Sequence, residues 1–561
     1  MSPKTRADKT QLDLFKAATA VAEPPAPQPD AEPEAGTARG RRPPRSRPTA
    51  EALAGRQREI SISEFFTKNR HLLGFDNPRK ALLTTVKEAV DNALDACEEA
   101  GILPDISIEA EELGESRYRV TIEDNGPGIV KQQIPKIFAK LLYGSKFHAL
   151  KQSRGQQGIG ISAAGMYGQL TTGKPVSILS KTQAAKPAHA YELRIDTQRN
   201  QPVIVKEELQ DWEKRSGTRV SIELEATYQK GRRSVDDYVE QTATANPHAR
   251  IRYQAPRSEP VVYERVTEEL PAEPKSIKPH PHGVELGALI KMLHDSQAKT
   301  LEEALTSDFS RVSPRIAREL AEKAGLQPTA QVRRLGHAQI EKLFRAIPEV
   351  RIMAPPADCL SPIGQVLLLE AFKSRVQGDF YATSSRAPKV YRGMPFQVEA
   401  GLAYSRELPA EETVELRRFA NRVPLLYQQA ACAISKAAID VEWRNYGLSQ
   451  SRGALPAGPV VLFVHIASVW VPFTSESKEA VAHYPEIVQE IRLGLMEVGR
   501  KLGGFLRARR RDELESKKRS YIEKYIPHIG IALQEILGIS EKEEQKVVEI
   551  LTDTLERSRK V

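Results

Sequence analysis

The sequence reads A-L-L-T-T-V-K-E-A-V-D-N-A-L-D-A-C at residues 81–97 and D-N-G-P-G-I at residues 124–129, and these stretches decide the fold. Read as a helix, the first places Glu88, Asn92 and Asp95 within roughly 60° of one another. The opposite side is apolar and consists of Leu82, Leu83, Val86, Val90, Ala93, Leu94 and Cys97. Two carboxylates and an amide on one face suit a divalent metal and a polarised water, although an ordinary solvated helix face has the same pattern.

Composition limits the classes of protein that this chain can belong to. Its 561 residues allow about three to four domains, and its net charge of +9 permits a nucleic-acid partner. Three scattered cysteines argue against a disulfide framework or a zinc site. The chain shows no signal peptide, and its longest apolar run, residues 459–473, is shorter than a membrane helix. We therefore expect a soluble cytoplasmic protein.

Residues 1–58 are rich in Pro, Ala and Arg. Such a segment cannot bury enough apolar surface to offset its ordering entropy, so we predict a disordered tail.

The segment at residues 81–129, called the deciding segment below, ends in two predicted strands and a sharp turn. Apolar residues alternate with polar ones around Ile106–Ile108 and again over Tyr118–Ile122, which is typical of paired strands. The glycines of D-N-G-P-G can adopt positive φ, so the Asp124 carboxylate would lie at the end of the second strand. Taken alone, this motif is also a common structural turn.

A glycine-rich stretch follows at residues 144–168, G-S-K-F-H-A-L-K-Q-S-R-G-Q-Q-G-I-G-I-S-A-A-G-M-Y-G. Its glycines let backbone N–H groups approach an anion, and the helix that follows adds its positive end. The stretch is neither a Walker A loop nor a Rossmann turn, because no G-K-[ST] closes it and no strand leads straight into it. Further alternating strands to residue 224 predict helices packed on one face of a mostly antiparallel sheet.

Downstream, the pattern changes twice. Four helices are predicted between residues 283 and 346. Strands are then predicted at 365–370, 396–400 and 458–471, with a helix at 421–441 between the last two and hence a right-handed crossover. A long helix at 484–518 follows, with a bend allowed at Gly503–Gly504, and two shorter helices at 531–537 and 541–557.

The motifs E-A-V-D-N-A-L-D-A, E-D-N-G-P-G-I, Y-G-S-K-F-H, S-R-G-Q-Q-G-I-G-I-S-A-A and T-T-G-K-P, in this order, resemble the Bergerat ATP-binding fold of gyrase B, the Hsp-ninety chaperones, MutL and histidine kinases. In detail they are similar to the B subunits of the topoisomerase VI family, and the similarity continues to at least residue 510. The resemblance implies a multidomain α+β protein with five parts. These are a tail (1–58), a Bergerat α/β-sandwich ATPase domain (59–250), a helix-two-turns-helix module with linkers (251–350), a transducer with a long helix (351–520) and a helical extension (521–561).

The resemblance also implies roles for individual residues. Glu88 would be the general base, Asn92 would hold Mg²⁺, and Asp124 would accept a hydrogen bond from the adenine amino group. Lys478 matches a transducer lysine that reaches the terminal phosphate of ATP. Other residues that it places around the nucleotide are Asp95, Gly126, Gly128, Ser145, Lys146, Arg154, Gly155, Gln156, Gln157, Gly158, Ile159, Gly160, Ile161 and Thr172.

The function implied is that of an ATP-hydrolysing subunit of a type IIB DNA topoisomerase. Two such chains would dimerise on ATP and pass one DNA duplex through a break made by a separate A subunit, in an A2B2 heterotetramer associated with the nucleoid. The result would be relaxation and decatenation of DNA. Two alternatives remain open at this point, a MutL-like repair ATPase and a non-catalytic DNA-binding scaffold with the same fold.

Overall fold

We describe a computed structural model of the chain over residues 54, 59–145, 150–155 and 158–557. The predicted disordered tail lies outside these residues apart from Ala54, and so do Lys146, Gln156 and Gln157 of the glycine-rich stretch. The chain divides into two compact units, Met1–Glu59 and Ile60–Val561, and the second contains every element below.

The amphipathic helix predicted at the start of the deciding segment is present. Helix α1 spans Ile62–Lys68 and helix α2 spans Pro78–Glu99. The Asn77 side chain caps α2 by accepting the Lys80 backbone N–H at 2.9 Å, and Pro78 brings a preset φ to the first helical position. The apolar side of α2 is buried in the core of the first sheet, as its spacing predicts.

The first sheet has eight strands and carries helices on it. Its elements are β1 Asp105–Gly114, β2 Arg117–Glu123, α3 Ile134–Ala139, α4 Gly160–Thr172, β3 Val176–Lys181, β4 Ala188–Asp196, β5 Gln201–Gln210, β6 Gly217–Glu225, α5 Val235–Ala245, β7 Arg250–Gln254 and β8 Val261–Tyr263. The strand order is β5-β4-β3-β6-β2-β1-β7-β8, and only β1 and β7 pair in parallel. The predicted two-layer α/β sandwich is confirmed.

The predicted end of this domain at residue 250 falls at the start of β7. Because β7 and β8 both join the sheet, the sheet extends to Tyr263. The amphipathic segment at residues 131–143 predicts one helix, but the structure has a 3-10 turn at Lys131–Gln133 followed by the short helix α3.

Four helices follow the first sheet in the chain, as predicted. They are α6 Leu286–Asp295, α7 Leu301–Asp308, α8 Pro314–Lys323 and α9 His337–Ala346. Leucines from all four enclose a core of their own, including Leu289, Leu305, Leu320 and Leu343.

The second sheet is built on one fully buried strand. Its elements are α10 Gln365–Arg375, β9 Phe380–Ser385, β10 Lys389–Tyr391, β11 Met394–Tyr404, β12 Glu415–Ala420, β13 Val423–Pro424, α11 Ala433–Ile439 and β14 Val460–Ser468. The order is β10-β11-β14-β12-β13, and β9 pairs with the later residues of β11 on the same edge as β10. Strand β14, buried at every position, is therefore central, as its continuous apolar run predicts.

Three predictions for this region are wrong. Residues 365–370 were predicted as a strand but begin helix α10, which buries Leu368, Ala371 and Phe372 at helical spacing. Only Ala433–Ile439 of the helix predicted at 421–441 is α-helical, because a turn, β13 and a 3-10 turn at Gln429–Ala431 precede it. The strand at 396–400 runs antiparallel to β14, so the predicted crossover does not join these two. Strand β12 is parallel to β14 and α11 lies in the connection between them, which makes this the crossover.

The last two helices form the C-terminal part of the described chain. Helix α12, Pro485–Leu537, continues through Gly503–Gly504 and includes the separate helix predicted at 531–537. Gly503 permits close packing, because a Cβ there would lie 3.3 Å from the Tyr446 Cα, so no bend is needed to explain the glycine. Helix α13, Glu541–Arg557, returns against the end of α12, with Val548 against Gly530. Within the described residues, no helix has both the length and the apolar character needed to cross a membrane.

Candidate active site

A cavity of about 630 Å³ lies between α2, the end of β2, the glycine-rich stretch and two loops of the second sheet. This volume suits a ligand of nucleotide size. The predicted site residues on its wall are Glu88, Asn92, Asp124, Gly128, Ser145, Gly155, Gly158, Ile159, Gly160, Ile161 and Lys478. The deciding segment, the glycine-rich stretch and a lysine far downstream therefore meet at one place.

The polar face of α2 lies directly below the start of α4. A Cβ on Gly160, the first residue of α4, would fall 1.7 Å from Glu88 Oε2, so only glycine leaves room for this carboxylate. One turn further along α2, a Cβ on Gly155 would lie 3.7 Å from Asn92 Oδ1. Gly160 thus allows the backbone of the stretch to approach Glu88 closely, and Gly155 lies in ordinary contact with Asn92.

Asp124 also lines the cavity and is buried. Its Oδ1 accepts the backbone N–H groups of Gly126 at 2.8 Å and Thr218 at 3.1 Å. Burial raises the pKa of Asp124 to about 6, against the opposing effect of these two hydrogen bonds. Since Oδ1 is already engaged twice, a proton taken up by this carboxyl belongs on Oδ2.

This protonation predicts a pH dependence of nucleotide binding. The resemblance implies that Asp124 accepts a hydrogen bond from the adenine amino group. A protonated Oδ2 would present a donor to that amino group, so affinity should fall by about tenfold between about pH 7 and about pH 5. Asp124→Asn is the reference variant. It should bind ATP more weakly and lacks the Asp124 titration, whereas protonation of the ATP phosphates affects both proteins equally. Calorimetric titration gives the ratio of the two affinities at each pH, and a constant ratio would contradict the assignment of Asp124.

Gly128 shows why the turn after Asp124 needs glycine. Its φ is +70°, and a Cβ there would fall 2.1 Å from the Lys181 carbonyl oxygen. Both the left-handed backbone and the contact exclude a side chain. The turn is thereby held against β3 with Gly128 facing the cavity.

Lys478 reaches the cavity from the loop that follows β14. Its Nζ donates to the carbonyl oxygen of Arg154 at 3.2 Å, and no carboxylate in the described part of the chain forms an ion pair with it. Burial lowers the pKa of Lys478, and Glu88 offsets part of this effect. Its backbone has φ +53°, unusual for a long side chain. A partly desolvated ammonium held by one neutral carbonyl suits an incoming anion.

The residue after Lys478 ties its loop to α2. Glu479 pairs with Lys80 at 2.5 Å and accepts a hydrogen bond from the Gln428 side chain at 2.7 Å. Lys80 also pairs with Asp76 at 2.8 Å. Sequence reasoning missed Lys80 and Glu479, because a lysine and a glutamate 399 positions apart carry no local signal.

Four predicted residues do not line the cavity. Asp95 and Arg154 pair with each other instead, with Asp95 Oδ1 2.7 Å from Arg154 Nη1. Gly126 turns its N–H to Asp124, and the Thr172 hydroxyl donates to the Gly168 carbonyl at 2.8 Å near the end of α4. We leave these four out of the site.

Arg154 is instead the centre of a buried charge cluster. Its guanidinium also contacts Glu98 at 2.7 Å and Asn246 Oδ1 at 2.5 Å, and Glu98 contacts His248 at 2.7 Å. Burial opposes the charge of Arg154, but Glu98 and Asp95 outweigh it and raise the pKa of the guanidinium. These contacts hold the backbone of the glycine-rich stretch at the point where Lys478 binds it.

Asp91 is a further acidic residue that the helix pattern did not single out. It lies on α2 between Glu88 and Asp95 and accepts the Tyr238 hydroxyl at 3.1 Å. Burial raises the pKa of Asp91 to about 7, which disfavours a second full negative charge beside Glu88.

Two family models match this chain. Residues 77–228 match the histidine kinase-, DNA gyrase B- and HSP90-like ATPase family, and residues 355–518 match the topoisomerase VI B subunit transducer. The first match covers α2, the Asp124 turn and the glycine-rich stretch, and the second contains Lys478. The presence of a topoisomerase VI transducer does not favour the MutL-like alternative.

Whole-chain comparison agrees with both matches. The B subunit of type 2 DNA topoisomerase 6 from Methanosarcina barkeri is 51% identical over 489 residues, which cover 87% of this chain and 79% of that one. Its counterpart of the same name from Archaeoglobus fulgidus is 47% identical over 497 residues, covering 88% and 82% of the two chains. The chain therefore belongs to the family of topoisomerase VI B subunits, the ATP-hydrolysing subunits of that enzyme.

Proposed function

We propose that ATP binds in this cavity with adenine at Asp124 and its phosphates below the glycine-rich stretch. Glu88 is the general base that removes a proton from the attacking water, and Lys478 contacts the terminal phosphate. The observation that supports this most is the convergence of both residues on one cavity wall, Glu88 beside the N-terminus of α4 and Lys478 from the second sheet. Developing negative charge on the phosphate would thus meet a helix N-terminus and an ammonium.

We further propose that Asn92 holds Mg²⁺ when nucleotide is bound. Its side chain is exposed, makes no hydrogen bond to a described residue and offers a carboxamide oxygen, a ligand that Mg²⁺ accepts. Among the described residues, no group of three or more His, Cys, Asp or Glu side chains could hold a metal alone. This fits an ion held mainly by substrate phosphates, whose charge it would neutralise.

Both domains contribute residues to the wall of the cavity, so ATP binding there can change the angle between the domains. A lysine on the second domain that touches only the terminal phosphate makes the angle between the domains depend on whether that phosphate is present. We propose that two copies of the chain close on ATP and reopen after hydrolysis. The transducer would pass this change to a separate A subunit that cleaves DNA, in an A2B2 assembly.

The proposed function is tested by relaxation of supercoiled DNA. The chain is mixed with the A subunit of the same family, with Mg²⁺, and with ATP, ADP or no nucleotide. We expect relaxation with ATP and none with ADP or without nucleotide, because ATP alone carries the terminal phosphate that Lys478 would contact. Relaxation without nucleotide, or none under any condition with a demonstrably cleaving A subunit, would contradict it.

A further inference from the structure

The turn between β12 and β13 has a strained backbone at the interface with the glycine-rich stretch. Its two residues, Asn421 and Arg422, have φ of +48° and +66°, and both are buried. Two-residue hairpin turns of this hand favour Asn followed by Gly, so an arginine at the second position costs backbone energy. Strain retained in a buried turn indicates that both side chains serve a purpose there.

The Asn421 side chain joins the two domains. Its Nδ2 donates to the carbonyl oxygens of Ser153 at 3.0 Å and Ser468 at 2.9 Å, and its Oδ1 accepts the Ser468 backbone N–H at 2.9 Å. Ser153 belongs to the glycine-rich stretch, whereas Ser468 ends the central strand β14. One amide therefore fixes the stretch to the most buried strand of the second sheet.

Arg422 braces the same turn from inside the second domain. Its Nη2 donates to the Ser361 carbonyl at 3.2 Å and the Pro362 carbonyl at 3.0 Å, and its backbone N–H donates to His465 Nε2 at 2.9 Å. Ser361 in turn exchanges two hydrogen bonds with the Gln152 side chain, at 3.1 and 2.7 Å. Gln152, the residue before Ser153, is thus held to the second domain as well.

These contacts determine where Lys478 can lie. Ser153 immediately precedes Arg154, whose carbonyl is the acceptor of the Lys478 ammonium. We propose that Asn421 is a positioning residue for ATP hydrolysis, which holds the Arg154 carbonyl so that Lys478 is placed in the cavity before ATP binds. The inference rests on the role proposed above for Lys478, and Asn421 itself does not line the cavity.

The variant Asn421→Gly removes the amide and keeps a left-handed backbone without strain. In the full-length chain we expect kcat for ATP hydrolysis to fall by about tenfold with little change in KM. The same substitution in a Lys478→Ala background should cause no further fall, because the group that it positions is gone. Ser116→Gly, at an exposed left-handed position in the β1–β2 turn, is the matched control and should leave kcat unchanged.

The outcomes separate this inference from the proposed function. An unchanged kcat in Asn421→Gly, or an equal fall with and without Lys478, would overturn the positioning role and leave that of Lys478 standing. A wild-type kcat in Lys478→Ala alone would overturn both. If circular dichroism shows that Asn421→Gly does not fold, Asn421→Asp is tested in the same way, because it tolerates the left-handed backbone and lacks the two donors.

Discussion

Glu88→Gln should abolish ATP hydrolysis, with a fall in kcat of at least about 100-fold, while nucleotide binding stays intact. Glutamine keeps the size of the side chain and its place below Gly160 but cannot take a proton from water. Steady-state phosphate release measures the loss, and equilibrium titration with ATP measures the affinity.

The matched control for this variant is Glu99→Gln, at the exposed end of the same helix. It removes the same charge from α2 and should turn over ATP at the wild-type rate. Turnover close to wild type in Glu88→Gln would show that another group is the base. An equal loss in the control would show that the charge of α2, rather than one carboxylate, is what hydrolysis requires.

Lys478→Ala should uncouple dimer closure from ATP hydrolysis, so that hydrolysis is lost while closure on ATP remains. Removing the cation proposed to contact the terminal phosphate should lower kcat by about 100-fold. ATP should still bind, because Asp124 and the backbone N–H groups of the glycine-rich stretch remain. Phosphate release and chemical cross-linking of the closed dimer, measured on the same samples, check the two parts of this prediction.

Lys436→Ala provides the comparison for Lys478→Ala. Lys436 is an exposed lysine of α11 in the same domain and does not line the cavity, so its loss should change neither quantity. If Lys478→Ala hydrolyses ATP and closes as the wild-type chain does, Lys478 has no part in the reaction. Loss of binding as well as hydrolysis would place Lys478 among the groups that hold the nucleotide.

The first domain was predictable because its signals are local. Helix α2 has a clear apolar side, an N-cap at Asn77 and a proline at its first position, so pattern and capping agree. Strands β1 and β2 alternate in burial as their sequences do. The glycines of the Asp124 turn and of the glycine-rich stretch lie where the backbone must approach another group closely.

The errors in the second domain arose where tertiary contacts outweigh local pattern. The run Q-V-L-L-L-E has no period that distinguishes a strand from a helix. Strand β12, E-L-R-R-F-A, was missed because buried arginines conceal its apolar character. Arg417 is buried beside Glu415 and Glu240, and Arg418 donates to the Leu425 carbonyl at 2.7 Å.

The candidate site was predictable only where a motif carried it. Glu88, Asn92 and Asp124 follow from the order and spacing of the motifs, and all three lie on the cavity wall. Asp95 and Arg154 occupy the same motifs but pair with each other, and the charge pattern on α2 does not reveal which of its carboxylates has a buried partner. Asn421 belongs to no motif, and its contacts with Ser153 and Ser468 exist only in the folded chain.

Light scattering on Glu88→Gln decides whether ATP in this cavity closes a dimer. The variant binds ATP without consuming it, so the closed state should accumulate. The molar mass should double on addition of ATP with Mg²⁺ and stay at the monomer value with ADP. An unchanged mass with saturating ATP, or the same increase with ADP, would contradict closure driven by the terminal phosphate.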